Sequence, residues 1–550
     1  MGVNKNFVGV LLVILNSFSA AVFAAVPGIL DTTFNSAGIQ AGTESTTINS
    51  STSNNDGQAV AIQADGNIVV VGVVNGSPVD FGVARFLANG GLDPAFNTSG
   101  AQPGTVQFSI VGSPDSQAQA VAIQADGKIV VAGFALIDSL SALATAQPTF
   151  AVARLNPDGT LDSEFNSGGT QTVSFGGGLS QAQAVAIQSD GKIVLAGIAS
   201  VGGNDVFAVA RLNTDGTIDL PFGGSDTGIN STTVGGMSTN GGAAVAIQAD
   251  GKIVIAGFAG NGDLINQFGV ARFNADGTLD TTAFNVLGTQ PGTNAINING
   301  GASGKAYAVA IQADGKIVLA GESPVGFNET FAAARFNSDG TLDETFNAGS
   351  LTQPGTVTTT VQDSTSAIGT SVAIQENGKI IIAGQADVGG ANHFAVARFL
   401  TNGTLDTTFN PDDLIQPGTN ATLIDNTNEA AVGSSVALQS DGKIVIAGTV
   451  LFSGGSPADK FAVARFNGDA IVPVPPVVTT DPFALRLIQK YGSQPYTIRG
   501  SYNILIKLQV TFKSPVVLLN STMTVPCNYL NGNSMGRSTL CRRRGRSSRR

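Results

Sequence analysis

The chain has 550 residues, of which 42% are hydrophobic and only 12% are charged. That balance excludes disorder for most of its length, because a chain this apolar can bury a large core. Its 70 glycines and its scarcity of charged helix-forming stretches predict many short strands joined by tight turns.

The segment from Met1 to Ala24 has the pattern of a secretory signal. Lys5 precedes an apolar run over residues 7–15, and small residues end the segment at Ala24. This pattern predicts export, with cleavage before Ala25. The apolar run is too short to span a bilayer, and no other segment of the sequence approaches a membrane-spanning length. We therefore expect a mature chain without a transmembrane segment that is secreted, periplasmic or at the cell surface.

The segment "AVAIQADGKIVVAGF", which begins at Ala120, occurs seven times with small changes. Each copy places Asp-Gly or Asn-Gly between two runs of β-branched residues, which is the strongest short-range signal for a β-hairpin. The turn glycines recur along the chain at a nearly constant spacing. They are Gly66, Gly127, Gly191, Gly251, Gly315, Gly378 and Gly442.

A second hairpin follows in each repeat, as in "FAVARLNPDGTLD" from Phe150, where the turn lies at Asp158-Gly159. A Thr-rich segment, such as "TVQFSIV" from Thr105, supplies one more alternating strand. Four strands in each of seven repeats, with almost no helix signal, predict an all-β fold. We expect a seven-bladed β-propeller over residues 25–469.

The two ends of the array indicate how the ring closes. The element Leu-Asp-x-x-Phe-Asn follows the second turn of the repeats in recognisable form, but the seventh repeat ends at Asp469 without it. A spare copy, Leu30 to Asn35, stands before the first full repeat. We therefore expect the N-terminal segment to complete the last blade, either as a paired strand or only as a staple between blades.

Every arginine in residues 1–469 occupies one position of the repeat, within a strand of small and apolar residues. A guanidinium buried there needs acceptors, and the aspartates of the Leu-Asp element are the obvious ones. A ring of arginines that binds an anion is the functional alternative, but repetition in every blade favours a structural role. The predicted structural pairs join Arg85, Arg154, Arg211, Arg272, Arg335, Arg398 and Arg465 with Asp31, Asp93, Asp162, Asp219, Asp280, Asp343 and Asp406.

The hairpins "AVAIQADGKIVVAG" and "FAVARLNPDGTLDSEFN" resemble those of the bacterial delta-60 repeat family, over about Leu30 to Asp469. The resemblance implies β-propeller blades of uncharacterised function, and it brings no catalytic motif. The chain departs from the pattern at Ile218 to Gly223, where the sequence is "IDLPFG", and before Phe284, where one residue is added ahead of Asn285. We expect local distortion at these two blade junctions.

The composition changes after Asp469. Residues 470–482 form a Pro-rich linker, and residues 483–550 form a basic tail that includes both cysteines, Cys527 and Cys541. Residues 1–469 contain 16 Lys and Arg against 38 Asp and Glu, whereas residues 470–550 contain 12 against 1. The tail has the charge to bind a phosphate-rich surface, and a solvated terminus or non-native coding sequence are the alternatives. We expect no nucleic-acid binding by the propeller.

Few residues of the repeats have the chemistry of a site. The single histidine, His393, lies in a variable loop and is interpreted as a surface residue. Asn156, Asp158 and Asp162 resemble part of an acidic calcium loop, but the segment lacks its full ligand set. The sequence therefore predicts no metal and no cofactor. Glu322 follows the glycine of the second strand, where the other repeats have no acidic residue, and it is the catalytic candidate.

Two functions remain open. The first is an exported, non-catalytic scaffold or binding module, predicted to be a monomer, for an unknown protein or glycan partner. Its candidate binding loop contains Leu136, Ile137, Leu140 and Leu143, for which a short helix packed on the blade is the alternative. The second is a carboxylate-dependent hydrolase or lyase with a site in the funnel of the propeller. Variable loops on a regular frame favour the first.

Overall fold

The computed structural model describes residues 25–49, 53–137, 146–176, 178–262, 265–301, 303–425, 429–452 and 458–469, together with the backbone of four strands between residues 499 and 528. Residues 1–470 form one compact unit and residues 471–550 form a second. The predicted linker, most of the basic tail and the predicted signal lie outside the described residues.

The first unit consists of seven antiparallel groups of four strands, which confirms the predicted seven-bladed propeller. Five of them are separate sheets, and the third and fourth are joined into one eight-stranded sheet by a single parallel pair, Asp205 with Thr239. Its first strand is β1 (Thr43–Thr46). Blades 1 to 3 follow as β2 (Asn55–Ile62), β3 (Ile68–Val74), β4 (Asp80–Phe86), β5 (Thr105–Phe108); β6 (Ser116–Ile123), β7 (Ile129–Ile137), β8 (Gln147–Leu155), β9 (Thr170–Val173); and β10 (Ser180–Ile187), β11 (Ile193–Val201), β12 (Asn204–Leu212), β13 (Ile229–Thr232).

Blades 4 to 7 repeat this arrangement, and the last has three strands of its own. They are β14 (Thr239–Ile247), β15 (Ile253–Gly260), β16 (Gln267–Phe273), β17 (Thr293–Ile296); β18 (Lys305–Ile311), β19 (Ile317–Val325), β20 (Asn328–Phe336), β21 (Thr356–Thr359); β22 (Ser366–Ile374), β23 (Ile380–Val388), β24 (Ala391–Phe399), β25 (Thr419–Thr422); and β26 (Ala431–Leu438), β27 (Ile444–Val450), β28 (Lys460–Phe466). Two short 3-10 turns, Phe165–Ser167 and Phe222–Gly224, lie between strands.

The first strands of successive blades contact one another around the ring, including β2 with β26, so these strands line its centre. Each blade has two different ends. The turn face carries the Asp-Gly and Asn-Gly turns that follow the first and third strands. The loop face, at the opposite end, carries the hairpins between second and third strands and the connections from blade to blade. All irregular hairpins between second and third strands therefore lie on one face.

The N-terminal segment closes the ring in both of the ways that the sequence left open. Strand β1 pairs antiparallel with β28 as the fourth strand of blade 7, with Glu44 opposite Val463. Leu30 forms an isolated bridge with Phe466, and the backbone N–H of Asp31 donates to the carbonyl of Arg465 at 2.7 Å. The segment therefore supplies a paired strand and a staple.

The turn at the closure is built from two separate stretches of chain. The N–H of Gly28 donates to the carbonyl of Asn467 at 2.7 Å, and the N–H of Asn467 donates to the carbonyl of Ile29 at 2.8 Å. In blade 2 the same two bonds join Gly159 and Thr160 to Asn156 within one continuous turn. Gly28 has φ 87°, and an added Cβ would lie 2.7 Å from the backbone nitrogen of Asn410. Only glycine suits that position.

The hydrophobic core is divided among the seven junctions between blades. Each cluster joins side chains from two neighbouring blades; for example, Val71 and Phe81 of blade 1 pack with Val131 and Ala153 of blade 2. The phenylalanine of each Leu-Asp-x-x-Phe element is fully buried in such a junction. The junction between blades 7 and 1 is likewise built from valine, isoleucine, alanine and phenylalanine side chains, and it contains Phe34 of the closing segment.

A β-bulge interrupts the first strand of every blade and explains the glycine that ends "KIVVAG". In blade 2 the register shifts between Ala118 and Ala120, which brings the carbonyl oxygen of Gln117 against the second strand. A Cβ on Gly133 would lie 1.9 Å from that oxygen. The glycine is therefore required by close backbone approach rather than by turn geometry.

The second unit contains four described strands. Strand β29 (Arg499–Ile504) pairs antiparallel with β32 (Met523–Asn528), and β30 (Leu508–Val510) pairs with β31 (Val517–Leu519). Cys527 lies in β32 opposite Gly500, and Cys541 lies outside the described residues. Within the described part of the chain, no helix has the length and apolar character needed to cross a membrane.

The closure predicts a strong effect of deleting residues 25–38. The deletion removes Asp31 and Phe34, so that Arg465 loses its partner and the junction between blades 7 and 1 loses a buried ring. An unpaired buried charge costs about 3–5 kcal/mol, and loss of a buried phenylalanine costs a similar amount. We expect the thermal midpoint to fall by several degrees or more in calorimetry.

A circular permutant that joins Gly468 to Pro27 and opens the chain between Gly202 and Gly203 is the matched control. It omits Asp469 but makes the closing turn continuous, with Gly468 at the position that Pro157 has in blade 2. We expect the carbonyl of Gly468 to accept from Arg398 as that of Pro157 does from Arg85, so the permutant should melt close to the parent. A deletion variant that melted like the parent would show that closure contributes nothing to stability.

Candidate functional site

The arginine of each blade lies next to the end of the third strand and forms an ion pair with the aspartate eight residues later, or with Asp31 in blade 7. The N···O distances are between 2.6 and 2.8 Å, and the arginines are no more than 9% exposed. The pairs are Arg85–Asp93, Arg154–Asp162, Arg211–Asp219, Arg272–Asp280, Arg335–Asp343, Arg398–Asp406 and Arg465–Asp31.

Each of these guanidinium groups also stacks on the phenylalanine of its own Leu-Asp-x-x-Phe element. The distance from the guanidinium carbon to the ring centroid is 4.5 to 4.7 Å in all seven blades. A cation over a desolvated aromatic face gains about 2 kcal/mol. The phenylalanine therefore has a second role beside core packing, because it covers one face of the buried charge.

The same arginines connect each blade to the next. In six blades the Nη1 group donates to a backbone carbonyl in the second turn of the following blade. These carbonyls belong to Pro157, Thr214, Ala275, Ser338, Thr401 and, across the closure, Ala88. The next carbonyl of that turn accepts a hydrogen bond from the backbone N–H of the residue that ends the Leu-Asp element. In blade 1, for example, the N–H of Asn97 donates to the carbonyl of Asp158 in blade 2 at 2.6 Å.

Blade 6 differs because the turn that follows it is the split one at the closure. Arg398, which is fully buried, places Nη1 2.7 Å from Asp469, the last described residue of the propeller. The N–H of Asn410 donates to the carbonyl of Pro27 at 2.7 Å. A carboxylate from the C-terminal end of the propeller and a carbonyl from its N-terminal end thus replace the two carbonyls of an ordinary turn.

A lysine from the first turn adds a second cation to five of the seven aspartates. The Nζ···O distances are 2.6 to 3.0 Å for Lys128, Lys192, Lys316, Lys379 and Lys443. Blade 1 has Asn67 at this position. In blade 4, Lys252 pairs instead with Asp250 of its own turn.

These contacts lower the pKa of five of the aspartates: Asp31, Asp162, Asp219, Asp343 and Asp406. Burial by itself raises the pKa of Asp343, but hydrogen bonds from Thr345 and Lys316 and the charge of Arg335 outweigh it. These five carboxylates are therefore ionised over the whole physiological pH range.

The arrangement is architectural, since the guanidinium donors point at acceptors of the protein. The two departures from the repeat keep the same contacts despite the expected distortion. In blade 3, Asp219 and Phe222 of "IDLPFG" still engage Arg211. In blade 4, the added residue Ala283 offers its carbonyl to Arg272 Nη2 at 2.9 Å.

The residues considered for calcium serve the turn and the ion pair. Asp158 accepts hydrogen bonds from the N–H and hydroxyl of Thr160, Asn156 donates to the same hydroxyl at 3.0 Å, and Asp162 binds Arg154 and Lys128. Among the described residues, no group of three or more His, Cys, Asp or Glu side chains is arranged to hold a metal ion. His393, in β24, is half-buried with Nδ1 2.9 Å from the carbonyl of Ala391.

Glu322 belongs to a cluster of titratable side chains at the loop-face end of blade 5. Tyr307, at the bulge of β18, donates its hydroxyl to Glu322 Oε1 at 2.7 Å. Lys305 is opposite Glu322 in the β18–β19 register, and its Nζ lies 5.8 Å from the ring centroid of Phe258. Burial, followed by the charge of Glu322, raises the pKa of Glu329. Burial, and then the hydrogen bond to Glu322, raise the pKa of Tyr307, so the phenol stays protonated.

The loop face differs from the turn face in charge. Of the described lysines and arginines of the propeller, only Lys305 and Lys460 lie at the loop face. The carboxylates there include Asp56, Asp80, Asp115, Asp205, Glu322, Glu329, Asp363, Asp387, Glu429 and Asp459. A groove of about 450 Å³ on this face, between blades 6 and 7, is lined by Asp387, Glu429, Asp459 and Phe452 among others.

The candidate binding loop of blade 2 lies on the same face. Leu136 and Ile137 end strand β7 and are half-buried. The N–H of Leu136 donates to the carbonyl of Asp115 at 2.9 Å, in the connection from blade 1. Leu140 and Leu143 lie outside the described residues.

Comparison with known families supports the repeat assignment. A family model described as a domain of unknown function (DUF5122) β-propeller matches residues 63–96, 124–165, 188–222, 248–282, 312–346, 375–409 and 439–469. Each segment contains the arginine of its blade. The chain therefore carries seven repeats of an uncharacterised β-propeller family. No curated protein matches the chain.

Several solved structures resemble the chain distantly. A protein of unknown function from Dyadobacter fermentans is 9% identical with a TM-score of 0.38, over 78% of this chain and 99% of that one. A PL25 ulvan lyase is 11% identical with a TM-score of 0.43, over 78% and 96%. The β-propeller domain of the Trilobed protease from Pyrococcus furiosus is 9% identical with a TM-score of 0.35, over 76% and 100%. Likenesses this distant say nothing about what this chain binds or catalyses.

The buried ion pair predicts that Arg272→Met destabilises the propeller. The substitution leaves Asp280 buried without its main partner and removes the donor from the carbonyl of Ser338, which should cost about 3–5 kcal/mol. Arg272→Lys keeps the charge but not the planar fork, and should cost less. Lys252→Ala is the control, because its exposed pair should contribute less than about 1 kcal/mol. Urea unfolding followed by fluorescence or circular dichroism measures all three, and a cost for Arg272→Met as small as that of the control would contradict the interpretation.

The lowered pKa of Asp343 predicts a loss of stability in acid. A carboxyl whose folded pKa lies below its ordinary 3.8 stabilises the fold fully above that value, and the contribution declines as pH falls from 3.8 towards the lower folded pKa. Asp343→Asn should therefore be less stable than the parent at pH 7, with a gap that narrows below about pH 4. Thermal midpoints at pH 7, 5 and 3, with Glu164→Gln as a surface control, measure the gap. A gap independent of pH would argue against a paired carboxylate.

Proposed function

We propose that the mature protein is an exported, non-catalytic β-propeller scaffold that binds a protein or glycan partner through its loop face. The observation that carries this proposal is the difference between the two faces. On the turn face, nearly identical turns are occupied by the arginine contacts that join the blades. On the loop face, the hairpins vary in length and sequence, and the side chains are free to differ from blade to blade.

Loop length supports the assignment of the binding function to this face. Sixteen residues separate Gly133 from Phe150 in blade 2, whereas eight separate Gly72 from Phe81 in blade 1. Insertions in surface loops add little to the free energy of folding, so such segments are available for recognition. The acidic side chains and the groove between blades 6 and 7 give the face distinct chemistry.

The proposal includes export and assignment to the delta-60 repeat type. Residues 1–24 would be removed before Ala25, leaving the protein secreted, periplasmic or at the cell surface. The nearly constant spacing of the turn glycines supports the repeat type. We further propose a monomer without a cofactor, in which the propeller binds no nucleic acid. N-terminal sequencing of the protein recovered outside the cytoplasm tests cleavage directly.

The binding proposal predicts the effect of exchanging one loop. Replacing residues 134–149 with the blade 3 sequence "IASVGGNDV" (residues 198–206) should leave the thermal midpoint nearly unchanged, because the buried Ala135 and Thr149 are exchanged for Ala199 and Val206, which are buried at the same positions of blade 3. It should abolish capture of the native partner from cell-envelope extract. Lys192→Ala, on the turn face, is the matched control and should retain capture. Equal capture by parent and loop variant would exclude this loop as the binding site.

A carboxylate-dependent hydrolase or lyase is the second candidate, and the contact between Tyr307 and Glu322 favours it over other catalytic functions. A protonated phenol held against a carboxylate pairs a proton donor with a group able to accept one. In the other blades the position of Tyr307 is occupied by Gln58, Gln119, Gln183, Ala243, Thr370 and Ser434. Blade 5 is thus the one blade with this pair.

Turnover on a panel of oligosaccharides separates the two candidates. If the protein is an enzyme, Glu322→Gln and Tyr307→Phe should each abolish turnover while the fold is kept, and Lys192→Ala should not. If it is a scaffold, no panel member is converted by the parent, and partner capture survives Glu322→Gln.

A further inference from the structure

The second residue of each outer strand faces the turn of the next blade, and in four blades it is an amide. Its side-chain N–H donates to the carbonyl of the turn glycine, at distances of 2.6 to 3.4 Å. The pairs are Gln171 with Gly216, Asn230 with Gly277, Asn294 with Gly340 and Asn420 with Gly28. In each case the residue is paired in register with a valine of the third strand.

The closing strand has a carboxyl group at this position. Glu44 of β1 is opposite Val463 of β28, in the register of the four amides. The turn it faces belongs to blade 1, where the N–H of Asn35 donates to the carbonyl of Asn89 at 2.6 Å. A Cβ on Gly90 would lie 2.9 Å from the backbone nitrogen of Asn35, so the glycine turn is packed against the closing segment. By repeat equivalence, the carbonyl beside Glu44 is that of Gly90.

A carboxylate cannot make the bond that the amides make, whereas a neutral carboxyl group can. Glu44 Oε2 accepts a hydrogen bond from Asn35 Nδ2 at 2.5 Å, and Oε1 accepts one from the N–H of Ser45 at 3.2 Å. A protonated carboxyl keeps one oxygen for Asn35 and gains an O–H for a carbonyl. The site therefore offers different hydrogen bonds in the two protonation states.

The charges around Glu44 favour the neutral form. Asp425, from the connection between blades 6 and 7, accepts a hydrogen bond from the Ser45 hydroxyl and faces the same strand. The charge of Lys460, at the start of β28, acts in the opposite direction but is the smallest of these effects, and the turn of blade 1 contributes the uncharged Asn89 and Gly90. Burial first, and then the charge of Asp425, raise the pKa of Glu44 to about 7.

We propose that a proton on Glu44 controls how tightly the seam between blades 7 and 1 is closed. In the neutral form, the O–H donates to the carbonyl of Gly90 and the seam matches the four amide junctions. In the ionised form, that bond is lost and a carboxylate is left in a half-buried site near Asp425. Strand β1 is then held less firmly while the other six junctions are unchanged.

The direction of the pH effect follows from linkage. A carboxyl whose folded pKa lies above its ordinary value stabilises the fold at low pH, and this contribution is lost as pH rises through the folded pKa. The window here runs from the ordinary 4.5 to about 7. One pKa unit is a tenfold change in an equilibrium constant, so opening of the seam should become roughly tenfold or more easier between pH 5 and pH 8.

Hydrogen exchange of the purified protein measures the seam directly. The protection factors of the β1 amides, corrected for the intrinsic effect of pH, are compared with those of β13, the equivalent outer strand in which Asn230 holds the position. In the parent, the ratio of β1 to β13 protection should fall at least about tenfold from pH 5 to pH 8. If the ratio of β1 to β13 protection in the parent is the same at pH 5 and pH 8, the proposal is wrong, and no variant is needed to show it.

Two variants copy side chains already present at this position in other blades. Glu44→Gln reproduces Gln171 and should remove the pH dependence, with protection at pH 8 like that of the parent at pH 5. Glu44→Val reproduces Val106 of blade 1; it should also be independent of pH but less protected, because it donates no hydrogen bond. Equal protection in the two variants would refute the donated bond, and persistence of the pH dependence in Glu44→Gln would refute the role of Glu44.

Discussion

The fold depends on seven buried guanidinium groups that cannot be satisfied within their own blades. Each blade supplies an aspartate and a phenylalanine for its arginine, but the remaining donor needs a carbonyl from the next turn. Removing that carbonyl would leave a buried donor unpaired in a site of low dielectric constant. The free-energy penalty of the unpaired donor is larger than the net stabilisation that the hydrogen bond provides. A blade without a following neighbour is therefore incomplete, and the repeats must close into a ring.

The closure shows how strictly this requirement is met. An open array would leave Arg465 without Asp31 and Arg398 without a turn to bind. The chain instead assembles the missing turn from both ends of the propeller, with Pro27 and Gly28 on one side and Asn467 and Asp469 on the other. The buried charge, rather than the hydrophobic contacts alone, thus determines the register in which the N-terminal segment returns.

Features repeated seven times could be predicted from the sequence, because repetition distinguishes a structural requirement from chance. The hairpins, the blade count, the spare Leu-Asp element and the partners of the arginines belong to this group. The phenylalanine was visible in the same motif, but its place under the guanidinium depends on the path of the turn.

Strand β1, with the sequence "TEST", lacks a clear strand pattern. The equivalence of Pro27-Gly28 to Asp158-Gly159 is hidden because the two halves of the closing turn lie at opposite ends of the propeller sequence. The contact of Tyr307 with Glu322 depends on a β-bulge whose position the sequence did not reveal.

Residues that break the repeat are consequently where function is to be sought. The common frame explains Arg272 or Asp343, since the ion pair between arginine and aspartate and the stacking of the arginine on phenylalanine recur in every blade. It does not explain a tyrosine and two glutamates at the loop-face end of blade 5, or a glutamate where other outer strands have an amide or valine. Glu329 and Glu44 are half-buried and have raised pKa values, so ionising either carboxyl group imposes a cost that the frame itself does not require. A propeller whose hydrophobic core is divided among seven junctions can tolerate such a cost at single positions, which leaves the loop face and the seam free to acquire properties of their own.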